Sequence, residues 1–197
     1  MVFEGNETDA SVLDGFTITG GTGSRLVDSS VSVDCWVGGG IFFDASSGTV
    51  RNCAIVQNRV ENGGGGVFCG YPCSPIFIDS IIADNSAGSG GGVFPSYGAS
   101  LTLTNCIIRG NSAGSSGGAV VGAYSSSAAL TNCTIAQNSS PELGGGVLCV
   151  YSSLATLMVK SEPFLLRPQS HLPAIPPRTG PTWRPTWCLS SRSTLNW

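Results

Sequence analysis

Cysteine and carboxylate have the widest chemical range of the side chains in this sequence. Eight cysteines are present. Cys53, Cys106 and Cys133 each stand two positions before an isoleucine, Ile55, Ile108 and Ile135. Residues two apart on a strand share a face, and free cysteine is among the most buried residue types. These three are expected to form an inward column rather than a ligand set. Cys53 and Cys106 lie two repeats apart, beyond disulfide reach. Cys106 and Cys133 lie one repeat apart, where a bond is feasible but not required. Cys69 and Cys73 enclose Gly70-Tyr71-Pro72. That turn admits a local disulfide in oxidising surroundings, or one core and one loop thiol. The single histidine, His171, is remote from every cysteine pair, so zinc has no ligand set and no cofactor is expected.

Paired carboxylates serve glycoside hydrolysis, or bind calcium for a lyase. Asp79 and Asp84 fall in one repeat, with Asp44 a candidate neighbour. This acidic trio is the alternative catalytic site. Arg51 and Arg109, two repeats apart, are the basic residues in reach of the same strand region. No acid recurs through three repeats, and solvated outward side chains explain these residues equally well. No GxSxG elbow, P-loop or HExxH motif occurs, and His171 has no evident triad partners.

The elements that position these residues are repeats. VRNCAIVQN (50–58), FIDSIIADN (77–85), LTNCIIRGN (103–111) and LTNCTIAQN (130–138) share one pattern, each followed by a Gly-Gly-Gly or Gly-Gly-Ala cluster and a valine. An earlier copy, LDGFTITGG (13–21), precedes Gly38-Gly39-Gly40-Ile41, with an insertion of about ten residues within Thr22–Val37. The columns are uniform. One runs Leu13, Val50, Phe77, Leu103, Leu130 and Leu157, and a second Phe16, Cys53, Ser80, Cys106 and Cys133. A third runs Ile18, Ile55, Ile82, Ile108 and Ile135, and a fourth Gly21, Asn58, Asn85, Asn111 and Asn138. Leu130 and Cys133 both point inward only if a bend separates them. So each repeat of 26 or 27 residues reads as two or three short strands joined by tight bends, with no room for an amphipathic helix. One such unit cannot bury its apolar edge, whereas stacked copies can, which is the logic of a solenoid. The asparagines are expected at left-handed bends, bonded to one another along the stack.

Composition agrees. Of 197 residues, 28 are glycine and only 11% are charged, which disfavours intrinsic disorder. A net charge of −3 with few basic groups argues against nucleic acid as a partner. No apolar run is long enough for a transmembrane helix.

Gly117-Gly118-Ala119-Val120, the related GGG[I/V] copies and the IxxN strand ends resemble the GGA[I/L/V] and FxxN motifs of the chlamydial polymorphic outer-membrane proteins. Isoleucine stands here for their phenylalanine. The resemblance spans about residues 10–157. It implies an all-β, right-handed parallel β-helix of about five coils, and an extracellular or cell-surface setting. It also implies a structural or adhesive role with no catalytic centre, with polysaccharide or a cell-surface ligand as partner. The alternative is a fragment of a polysaccharide lyase or glycoside hydrolase acting on acidic polysaccharide.

The domain is expected to span 1–157, followed by an aperiodic tail, 158–197. Seven of the eleven prolines and three of the four tryptophans fall in that tail, which is expected to be irregular and reads either as frame-shifted translation or as a genuine Pro-rich tail. No basic and apolar leader opens the sequence. A solenoid without caps is expected to self-associate through its open ends.

Overall fold

The structure, a computed structural model, describes residues 1–28 and 33–158. The expectations for the tail beyond Met158, including His171, lie outside the described residues.

One coil shows how the repeat folds. Ser100–Thr104 is extended, with Leu101 and Leu103 buried. Asn105 turns the chain at φ 55°, and Ile107–Arg109 runs on with Ile108 inward. Gly110 makes the next corner at φ 63°, and Ser112–Ser116 forms an outlying side. Gly117, at φ 69°, returns the chain to Val120–Gly122. Each corner needs a left-handed residue, which glycine and Asx tolerate best.

Among the described residues, stacked coils form three large parallel sheets, and Ser86–Ser89 pairs in parallel with Ser112–Ser116 on the outlying side. Sheet I holds Val2–Phe3, Ile41–Asp44, Val67–Gly70, Val93–Pro95, Val120–Gly122 and Val147–Cys149. Sheet II holds Val12–Asp14, Thr49–Arg51, Ile76–Ile78, Ser100–Thr104, Ser127–Thr131 and Leu154–Met158. Sheet III holds Thr17–Thr19, Ala54–Val56, Ile81–Ala83, Ile107–Arg109 and Thr134–Ala136. The register aligns the sequence columns directly, with Val50 opposite Phe77 and Leu130 opposite Leu157. The chain is thus a right-handed parallel β-helix. It makes about four full turns, slightly fewer than the five coils read from the repeat. Among the described residues no helix is long and apolar enough to cross a membrane.

The interior is the expected ladder. Ile55, Ile82 and Ile108 are fully buried, and Ile18 and Ile135 pack against them from the end coils. Sheet I differs from the other two because it is apolar on both faces, as parallel sheets covered on both sides are. Ile41 and Phe43 point inward, while Phe42, Phe68, Phe94 and Val121 face outward and are buried in a second cluster. Their cover includes the insertion, an antiparallel hairpin of Ser24–Asp28 and Val33–Val37. Its Leu26, Cys35 and Val37 pack against the outer phenylalanines.

The corner after sheet I carries Tyr71, Tyr97, Tyr124 and Tyr151, all at φ between 51 and 64°. Left-handed backbone costs a bulky residue about 1–2 kcal/mol. Ring stacking offsets it, with successive centroids 5.8, 5.0 and 4.9 Å apart.

One expectation needs correcting. Asn58, Asn85, Asn111 and Asn138 do not occupy the left-handed positions. The residue before each does: Gln57, Asp84, Gly110 and Gln137, at φ 56, 56, 63 and 56°. The left-handed residue turns the chain, and the asparagine after it can then project into the tube.

Candidate functional site

The asparagine column is a continuous buried amide ladder. The Asn58 backbone N–H and Nδ2 both donate to Asn85 Oδ1, at 2.9 and 3.0 Å, and Nδ2 also donates to the Ile18 carbonyl. Asn85 bonds Asn111, and Asn111 bonds Asn138, in the same way. Gly21 ends the ladder by donating its N–H to Asn58 Oδ1. These amides are internally satisfied, so the column is architecture.

The cysteine column is a second ladder. Cys53, Ser80, Cys106 and Cys133 each donate Sγ–H or Oγ–H to the carbonyl two residues back, at Arg51, Ile78, Thr104 and Thr131. The Cys53 N–H in turn donates to Ser80 Oγ in the next coil. Phe16 heads this column in the sequence but is 58% exposed, so the ladder begins at Cys53. The side-chain interaction with Cys133, and then burial, pushes the Cys106 thiol up. The same interaction with Cys106 lowers the Cys133 thiol to about 7. Cys69 and Cys73 are free, buried thiols held side by side. Burial, then contact with Cys73, raises the Cys69 thiol.

The acidic trio is not brought together. Asp44 ends a strand of sheet I, where burial and then the charge of Glu4 raise its carboxyl. Asp79 sits on the corner between sheets II and III and accepts from Asn105 Nδ2. Asp84 sits on the corner after sheet III, 4.0 Å from Arg109. Arg51 and Arg109 are also separated, ending strands of sheets II and III. Arg51 pairs with Asp14, whose carboxyl is held down first by Asn52 and then by Arg51. Among the described residues no group of three His, Cys, Asp or Glu is placed to hold a metal.

What the structure does assemble is a groove of about 830 Å³ beside the hairpin. Its lining draws on the hairpin and three successive coils: Trp36; Arg59 and Glu61; Ser86 and Gly88; Ser112 and Gly114. The hairpin alternates strictly. Leu26, Cys35 and Val37 bury one face, so Trp36 is turned to the other and is 45% exposed. Asn62, nearly buried, pins it: the Trp36 N–H donates to Asn62 Oδ1 at 2.8 Å, and the Asn62 N–H returns to the Trp36 carbonyl. Arg25 forks onto Asp34 with two 2.9 Å bonds and ties the hairpin strands together. The floor is the outlying side of each coil, and its Ser, Ala and Gly residues let a ligand approach the backbone.

Trp36, Arg59 and Glu61 stand outside the repeat columns, and that is why the repeat pattern does not single them out. The available signal is that Trp36 is the one tryptophan before the tail and sits inside the insertion. The tyrosine column recurs visibly, but its rings cover one another's faces and present edges outward. Trp36 is the contrasting case, a large aromatic turned toward an open groove.

Fold and site together define a parallel β-solenoid with a hairpin-walled groove. The profile of the family described as right handed beta helix region matches residues 1–135, well over half of the 197-residue chain. The chain belongs to that family. No curated protein and no solved structure matches it.

Proposed function

We propose that this chain is a non-catalytic segment of a secreted or cell-surface protein, a rigid solenoid that binds polysaccharide through the hairpin-walled groove. The observation that carries this reading is the groove itself. It combines an exposed, positioned indole, one cation, one carboxylate and a floor of small hydroxylated residues across three coils. Extended polymers suit a surface that repeats at about the 4.8 Å strand spacing. The resemblance to chlamydial polymorphic outer-membrane repeats supports the surface setting. Among the described residues the groove lining holds a single carboxylate, Glu61, whereas glycoside hydrolysis generally employs two.

The test is co-sedimentation with insoluble polysaccharides and affinity electrophoresis in gels containing soluble ones, comparing the full chain with Trp36→Ala. Retention by at least one polysaccharide, lost in the variant, is the expected result. Equal behaviour of the two proteins would overturn the reading. Release of reducing ends or unsaturated products would favour the lyase or hydrolase alternative.

A further inference from the structure

We infer that the groove selects an uncharged polysaccharide, with a sugar ring stacked on Trp36 and its hydroxyls shared between Arg59 and Glu61. This rests on the polysaccharide reading and narrows it.

The inference comes from charge placement. Of the four arginines before residue 156, three are committed to neighbouring aspartates: Arg25 to Asp34, Arg51 to Asp14 and Arg109 to Asp84. Arg59 has no ion pair among the described residues, and it lines the groove. A lone cation would favour an acidic ligand, but Arg59 is not alone. Glu61 lies two residues further on, with Val60 buried between them, and both residues are exposed and line the same groove. The groove floor is therefore charge-balanced. Around it the coils hold eleven acids against four arginines. A polyuronate would gain one guanidinium, meet one carboxylate, and approach a surface of its own sign.

A neutral pyranose has none of these penalties. Its axial C–H face suits the indole, which keeps close to half its surface open. Arg59 offers N–H donors and Glu61 offers acceptor oxygens, which together satisfy neighbouring hydroxyls that both donate and accept. Ser86 and Ser112 place a further side-chain hydroxyl in each of the next two coils, and neither has a side-chain partner among the described residues. Their separation, about one coil rise of 4.8 Å, is comparable to the length of a pyranose unit, so a chain lying along the solenoid axis meets one hydroxyl per ring.

Affinity electrophoresis of the full chain tests this. Mixed-linkage β-glucan, xylan and galactomannan are compared with polygalacturonate and alginate, at 20 and 500 mM NaCl. The expected result is retention by a neutral polymer that changes by less than about twofold with salt. Trp36→Ala should weaken it about tenfold, and Arg59→Gln somewhat less. Glu61→Gln should weaken the neutral ligand while creating salt-sensitive retention by polygalacturonate, because it leaves Arg59 uncompensated. Thermal melts of all three variants verify folding, which exposed positions should leave intact. If the unmodified chain prefers a polyuronate and loses it in high salt, the inference fails while the polysaccharide reading stands. If no polymer retards it, or Trp36→Ala binds as the parent does, both fail.

Discussion

The coil interior and the hairpin-walled outer face are both apolar and buried, yet they are built by opposite means. Inside the tube each contact is repeated. Ile55, Ile82 and Ile108 touch their own kind above and below, and Asn58, Asn85, Asn111 and Asn138 bond in series. Outside sheet I, the cover of Phe42, Phe68 and Phe94 includes a segment that occurs once. Repetition gives stability by summing similar interfaces. It also gives every coil the same surface, which selects nothing in particular. The interruption is where an indole, a guanidinium and a carboxylate converge.

That contrast can be broken from either side. The largest loss is expected from the interior. Asn111→Ala removes the acceptor for two Asn85 donors and the donor to the Ile82 carbonyl, all buried. It should cost about 3–5 kcal/mol, measured by urea denaturation, with ligand binding reduced only as the fold is lost. Phe68→Ala should cost about 3–4 kcal/mol in the same assay. Because Phe68 belongs to the cluster that seats the hairpin, it should also weaken polysaccharide retention in protein that remains folded. Replacing Ser24–Trp36 by a short loop should leave parallel-sheet circular dichroism in place and abolish retention. If retention persists, the hairpin is not the groove's wall.

Two smaller effects sharpen the interior account. Tyr97 is held at φ 51°. Tyr97→Gly should therefore be more stable than Tyr97→Ala by about 1 kcal/mol, the reverse of the usual order in extended segments, as read from paired melting curves. Cys133 should be the coil cysteine most readily alkylated near neutral pH. Its folded pKa of about 7 is depressed, so its thiolate and its iodoacetamide reactivity rise as pH increases through 7 and fall below it. Cys106→Ala removes that interaction and should move the midpoint upward, followed by peptide mass spectrometry across a pH series.

The sequence pattern located the ladders well and the corners less well. The asparagine column reads as a ladder because identical amides recur at each coil spacing. Its backbone role reads wrongly because Gln57 and Gln137 are not residues one expects at left-handed corners. The alternation of Phe42, Phe68 and Phe94 with Ile41, Val67 and Val93 along sheet I is present in the sequence. It looks like a simple apolar run, because nothing local says that both faces of sheet I are covered. The acidic trio illustrates the opposite error. Asp79 and Asp84 share one repeat and Asp44 precedes them by more than a coil, and the three fall on different sides of the coil.

By itself the sequence determined the solenoid: its period, its parallel register, its inward columns and the position of its one interruption. These follow from side chains repeated at fixed intervals, since a stacked coil buries a column only when each copy supplies the same kind of residue. Only the tertiary structure decided what the interruption does. Which hairpin face is buried depends on the phenylalanines of distant strands. Trp36 meets Arg59, Glu61, Ser86 and Ser112 only because the coils stack their outlying sides beside it. A site assembled from one insertion and three successive coils has no period, so no spacing in the chain announces it.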